Sequence, residues 1–156
     1  MKKNSDSKCS QEETLPNAAF AKRPVPFEIV VEVPRRSDAE AIVALVNSDP
    51  KHLLPRQVDE VRKEIYEWRV VKHKGEIVAC AAFDYFSPRI AEIRSLIVKR
   101  AYRGMGIAEK IVEELVKLAL PNQQVFVVTS NPKFFRKLNF SDCLGEKYVL
   151  FYKKEQ

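Results

Sequence analysis

Glycine, histidine and cysteine are scarce in this chain of 156 residues, which contains four, two and three of them. Each shortage narrows the function. Cys9, Cys80 and Cys143 are odd in number and carry no metal-ligand spacing, so no metal is expected and they read as free thiols of a reducing compartment. His52 and His73 fall at a loop and a strand end and read as surface residues. No apolar run approaches the ~20 residues of a membrane span, and the N-terminus lacks the apolar region of a secretory signal. An acidic surplus is missing too: 27 Lys and Arg against 21 Asp and Glu leave a net charge of +6 and a pI near 9.2. Yet the basic residues form no run and no regular interleaving with aromatics, so a solvated basic surface is expected rather than a nucleic-acid face. Such a surface suits an anionic ligand and disfavours polycations such as polyamines or histone tails. The expectation is a soluble cytoplasmic protein with no membrane and no nucleic-acid partner, large enough for one domain with its own core.

Two of the four glycines fall in one stretch, Arg103-Gly104-Met105-Gly106-Ile107-Ala108. An apolar strand over 93–98 leads into it. A helix leads out of it, with Ile107, Ile111, Leu115 and Leu118 on one stripe and Glu109, Lys110, Glu113, Glu114 and Lys117 opposite. The loop therefore sits at a helix N-terminus, where backbone N–H groups lack intrahelical partners and the dipole is positive. Glycines there let a bulky anion approach the backbone, and Arg103, Lys99 and Arg100 add charge, as a phosphate or pyrophosphate site requires. The same glycines also fit a plain strand-to-helix turn. A P-loop is excluded because Ile107-Ala108 stands where Lys-Ser or Lys-Thr is needed. A dinucleotide fold is excluded because Glu109 replaces a small residue and 125–130 carries no acid.

Around this stretch, residues 1–26 are polar and contain Pro16, Pro24 and Pro26, which predicts a disordered tail followed by a single domain over 27–156. A first strand is predicted at 27–33. Ser37-Asp38-Ala39-Glu40 predicts a capping box before a helix with Ala41, Ile42, Leu45 and Val46 on its stripe. Val58, Val61, Ile65 and Trp68 mark a second helix. Strands at 69–73 and 76–86 turn at Lys74-Gly75, and Pro88 separates them from the strand at 90–98. After the central helix come a strand at 124–129 and a short helix, capped by Ser130 or Asn131 with Pro132 first. Asn139 suits the left-handed residue that ends this helix. Strand material from Phe140 through 148–152 closes the chain. The fold class is α/β (α+β), a mixed sheet flanked by helices.

The Arg103–Ala108 stretch fits the Q/R-x-x-G-x-G/A signature and resembles the GNAT superfamily of acyl-CoA N-acyltransferases. Leu96-Ile97-Val98 before it, Asn131 to Phe140 after it and the element order from Phe27 onward agree. Leu54-Pro55-Arg56, the strand at 75–82, the strand at 91–98 and Val125 to Thr129 look like the small amino-acid acetyltransferases related to the N-acetylglutamate synthase catalytic domain. The resemblance implies a mixed, mostly antiparallel twisted sheet and acetyl-CoA as cosubstrate. It implies a pyrophosphate on Arg103, Gly104, Met105, Gly106, Ile107 and Ala108, and a pantetheine arm paired with Leu96, Ile97 and Val98. A bulge would splay that strand from the next, and a backbone N–H near Ile97 would polarise the thioester. Asn131 and Phe135 match positions that contact the far side of the cofactor, and also read as a helix cap and a core aromatic. The resemblance allows a homodimer through the strands at 148–152.

Acetyl transfer needs a neutral amine, an oxyanion donor and an acid for the thiolate. Glu92 and Arg94 lie two apart on one strand face. Glu92 is the candidate base; it also reads as a strand carboxylate paired with Arg94. Arg94, and less directly Arg56, are candidates to hold a substrate carboxylate. Phe135 stands where many relatives carry a tyrosine acid, so no hydroxyl is expected there. The expected activity is acetyl transfer to a small-molecule amine, an amino acid such as glutamate. Protein or peptide N-acetylation and non-catalytic acyl-CoA binding are the alternatives.

Overall fold

The structure, a computed structural model, describes residues 22–144 and 147–148. In chain order it comprises β1 (Val31–Glu32), a 3-10 turn (Arg36–Asp38), α1 (Ala39–Asn47), α2 (Val58–Lys63), a 3-10 turn (Ile65–Glu67), β2 (Trp68–His73), β3 (Glu76–Ser87) and β4 (Ile90–Val98). There follow a 3-10 turn (Arg100–Tyr102), α3 (Ile107–Val116), β5 (Gln124–Phe126), α4 (Pro132–Arg136), β6 (Cys143–Leu144) and β7 (Lys147–Tyr148). Strands β1 to β5 form one sheet in sequential order, antiparallel except for the parallel β4–β5 pair, and β6 pairs with β7 separately. The mixed, mostly antiparallel sheet is the one expected. Among the described residues no helix is long and apolar enough to cross a membrane.

Both faces of β3 are apolar, which demands cover on both sides. Ala81 and Phe83 pack with Ile107, Ile111, Val112 and Leu115 of α3. Cys80 and Ala82, on the other face, pack with Ile42, Leu45 and Val46 of α1 and with Val61, Ile65 and Trp68. Ile111 and Leu115 have no exposed surface, and burying each contributes about 2 kcal/mol. The stripe read on the central helix is thus its core face.

Several boundaries differ from expectation. The first strand shrinks to Val31–Glu32, paired with Val71 and Val70, and Val25, Phe27 and Ile29 pack on the core as irregular chain. Trp68 opens β2 opposite Ala82 instead of closing the second helix, with extended backbone (φ −91, ψ 151) after a 3-10 turn. Its spacing from Ile65 looked helical because residues on a 3-10 turn and a helix alike bury every third position. The cap before α1 is the Asp38 carboxylate accepting the Arg35 N–H at 2.7 Å, whereas Glu40 reaches Arg62 at 3.2 Å. Packing against the domain begins before Phe27, since the Arg23 N–H donates to the Gly104 carbonyl at 2.9 Å. Residues 1–21 and 149–152 lie outside the described residues.

One irregularity shapes the sheet. Cys80 pairs with Ile97 and Ala82 with Arg94, so Ser95 and Leu96 on β4 oppose Ala81 alone on β3. Ser95 is left-handed, with φ +56, as the extra residue of such a bulge often is. The bulge moves Ile97 onto the face that carries Arg94, and Leu96 and Val98 onto the face of Ile93. On the other edge of β4, the parallel pairing with β5 ends at Glu92–Phe126. Beyond that pair the two chains part.

A β-branched side chain cannot take the left-handed conformation cheaply. Ser95→Val is therefore expected to lose about 2 kcal/mol of unfolding free energy, read by denaturant melts. Ser95→Gly, which frees the backbone but drops the hydroxyl, should stay within about 1 kcal/mol of wild type.

Candidate active site

Where β4 and the chain after β5 separate, a cleft of about 520 Å³ opens. Residues 93–98 form one wall, and residues 127–131 with Phe134 and Phe135 form the other. Arg103, Gly104, Gly106, Ile107 and Ala108 close one end. The parting of the strands leaves the backbone of 93–98 free of a strand partner on that side, the geometry needed for an extended ligand to pair with it.

The closing end has the character of an anion cradle. Gly104 and Gly106 are both left-handed, with φ +79 and +80. Gly106 is the N-cap of α3 and offers no side-chain cap bond, so the first-turn N–H groups stay open. Arg103 locks the loop to the end of β4 by donating from Nε to the Val98 carbonyl at 2.9 Å. Met105 turns its side chain into the core, so it contributes backbone only. Lys99 adds less charge than expected, because Glu76 pairs with its ammonium.

Beside the cleft wall at Arg94, Glu92 stands directly opposite Asp84 on β3. Arg94 does not pair with Glu92: its Nη2 lies 2.9 Å from Asp84 Oδ2 and 3.7 Å from Glu64 Oε2, and its Nε is buried without a hydrogen-bond partner. Glu92 is held above its ordinary pKa by burial, with Arg94 pulling down and Asp84 pushing up. Glu67 is raised likewise by burial, then by Glu64 and Asp84, against Arg94 and Arg56. Arg56 is tied by its backbone to the Asn47 side chain at 2.9 and 3.1 Å. Its Nε donates to Ser95 Oγ at 3.3 Å and its guanidinium lies 5.8 Å from the Trp68 ring centre. Burial first, and then Arg94, lowers the Arg56 pKa.

Of Glu92, Arg94 and Arg56, named from the sequence, Arg94 lines the cleft and the other two stand beside it; Asp84, Glu64, Glu67 and Ser95, their neighbours here, were not named. Asp84 was legible as the polar end of the Cys80, Ala82, Asp84 alternation; the glutamates needed the 3-10 turn that carries them. Phe135 is buried, edge-on to Phe134 at 4.9 Å and Phe140 at 5.4 Å, and still lines the cleft. Asn131 caps α4, accepting the Phe134 N–H at 3.3 Å, from a position on the cleft wall. The cap reading is the one observed, and its place on the wall leaves it within the cleft.

Residues 38–140 match the model of the acetyltransferase (GNAT) family. The chain is 33% identical over 132 residues to an amino-acid acetyltransferase of Mycobacterium tuberculosis, covering 81% of this chain and 76% of that protein. It is 31% identical over 118 residues to an uncharacterized N-acetyltransferase of Chlorobaculum tepidum, covering 73% and 76%. The solved structure of Rv2747 from Mycobacterium tuberculosis, in complex with CoA and NLQ, matches with a TM-score of 0.69 at 32% identity over 74% of this chain and 73% of that one. N-acetylglutamate synthase from Neisseria gonorrhoeae, complexed with coenzyme A and N-acetyl-glutamate, shares the fold at a TM-score of 0.65 and 20% identity, over 72% of this chain and 28% of its own. With its cradle, bulge and parted strands all inside the matched span, this chain belongs to the GNAT acetyltransferase family and is an acetyl-CoA-dependent N-acetyltransferase.

Proposed function

We propose that the enzyme acetylates the α-amine of a small amino acid, glutamate or one like it. The observation that carries this reading is Arg56. Its Nε holds the bulge residue Ser95, and its terminal nitrogens have no hydrogen-bond partner among the described residues. A guanidinium in that state offers a two-point site for a carboxylate. Arg94, the first candidate for that role, is already committed to Asp84 and Glu64, and its part is to join those two carboxylates. Glu92 and Glu67 supply the complementary sign for an ammonium. The amino-acid acetyltransferase among the relatives agrees with this pairing of charges.

In this reading the N–H groups at the start of α3 receive the pyrophosphate and the backbone of Leu96, Ile97 and Val98 receives the pantetheine arm, which sets the thioester beside the bulge. Glu92 takes a proton from the substrate ammonium through a water. The amine nitrogen then attacks the thioester carbon, a backbone N–H of the strand steadies the oxyanion, and the C–S bond breaks. As the amide forms, the nitrogen sheds its second proton, which reaches the CoA thiolate by way of water, and the proton on Glu92 returns to solvent; Phe135 has none to give.

Release of free CoA, followed over a panel of amino acids, peptides and polyamines, should be fastest with glutamate-like amino acids; a response to peptides alone would replace this acceptor with a protein N-terminus or side chain. Arg56→Ala should raise the acceptor KM about thirtyfold while the acetyl-CoA KM stays put. Glu92→Gln should lower kcat about a hundredfold or more. In the wild type, kcat/KM should fall with decreasing pH through a limb above the ordinary carboxylate value, and that limb should vanish in Glu92→Gln. Stability gives the matching sign. A carboxyl whose folded pKa is raised costs stability when it ionises, nothing below its ordinary pKa and the full amount above the raised one. Thermal melts at neutral pH should therefore show Glu92→Gln no less stable than wild type.

A further inference from the structure

We propose that Lys22 is a ligand of the acetyl-CoA pyrophosphate, held over the glycine loop by a strap of chain that precedes the family span of residues 38–140. The strap is fixed at both ends. At its start, the Arg23 N–H donates to the Gly104 carbonyl at 2.9 Å, and Arg23 Nη1 donates to the carbonyls of Arg103 at 3.2 Å and Ala101 at 3.4 Å. At its end, Phe27 stacks on His73 at 4.2 Å with an interplanar angle of 9°, and the His73 Nδ1 is 3.0 Å from the Tyr102 hydroxyl. Val25 packs on the core between them, and Pro24 and Pro26 restrict the backbone on either side. Tyr102 directly precedes the glycine loop, so both anchors lie on the loop's own borders.

This strap leaves Lys22 in one place. A Cβ built on Gly106 would lie 3.3 Å from Lys22 Nζ and 3.5 Å from its Cδ. The ammonium therefore sits over the N-cap of α3, beside uncapped N–H groups and the positive end of the helix dipole. No carboxylate among the described residues pairs with it. A cation resting against a positive helix end is repelled unless an anion lies between them. The family's cosubstrate brings that anion to this loop. Arg23, whose guanidinium is spent on loop carbonyls, is a positioning residue; Lys22 makes the contact.

The test is calorimetric binding of CoA and 3′-dephospho-CoA to the full chain, which involves no acceptor. Lys22→Ala should weaken both ligands equally, about tenfold at low salt and less at high salt, while the unliganded melting midpoint stays unchanged. Lys22→Arg should restore most of the affinity. In an Arg23→Ala background, Lys22→Ala should add under about twofold, because the strap no longer holds the ammonium in place. Unchanged affinity would overturn the assignment. So would tighter binding, which would make Lys22 an occupant that CoA displaces, or a loss confined to CoA, which would move the contact to the 3′-phosphate. Failure of the wild type itself to bind CoA would instead count against the cosubstrate.

Discussion

The site depends on one backbone conformation, the left-handed Ser95. A regular β4 would run in register with β3 to its end and would keep Arg94 and Ile97 on opposite faces. The extra residue turns the second half of the strand over. That turn places Arg94 and Ile97 toward α1 and the 3-10 turn while Leu96 and Val98 still pack toward α3. It coincides with the stretch where β4 has lost its parallel partner. Backbone polar groups left free inside a fold are costly, and a ligand that pairs with them removes that cost. The bulge also positions Arg56, because Ser95 Oγ is what Arg56 Nε holds. A single residue thus ties the cleft wall to the arginine proposed as the acceptor's anchor.

The two ends of the cleft differ in charge for separate reasons. The cradle is positive mainly through backbone geometry, the open first turn of α3, with Arg103 occupied in bracing the loop. Fixed dipoles of this kind do not need to reorganise when the anion arrives. The cluster beside Arg94, where the proposed acceptor would bind, is built from side chains instead: Asp84, Glu64, Glu67 and Glu92 around Arg94 and Arg56. Side chains can be exchanged without disturbing the sheet, whereas the glycine loop cannot. In the proposed reading this separates holding the acyl donor from choosing the amine.

The same difference decides what could be read in the sequence. The loop, the α3 stripe and the strand before it are local patterns, and periodicity with two glycines was enough to place them. Asn131 and Asn139 were equally local, one capping α4 and the other left-handed at φ +66. The acceptor end is assembled from three separate segments, and the contacts Arg94–Asp84 and Arg56–Ser95 depend on strand register and on a loop crossing over it. Residue spacing along one strand suggested a Glu92–Arg94 pair; Asp84, directly across from Glu92, took the arginine instead. Trp68 was misplaced because a 3-10 turn was not distinguished from a helix end. Lys22 lay in a segment whose prolines and polarity read as tail, and the contacts of Arg23 and Phe27 reveal how it is held.

That exchange of partners bears on the chemistry of the base. An arginine paired directly with Glu92 would favour its ionised form and weaken it as a proton acceptor. Arg94 is drawn to Asp84 and Glu64 instead. On Glu92 it acts as a nearby cation that lowers the pKa, while Asp84 across the strand pair raises it. Burial tips the balance toward a raised pKa. In the proposed mechanism an incoming ammonium meets in Glu92 a carboxylate whose affinity for a proton is above the ordinary value, and its charge complements the acidic cluster around it.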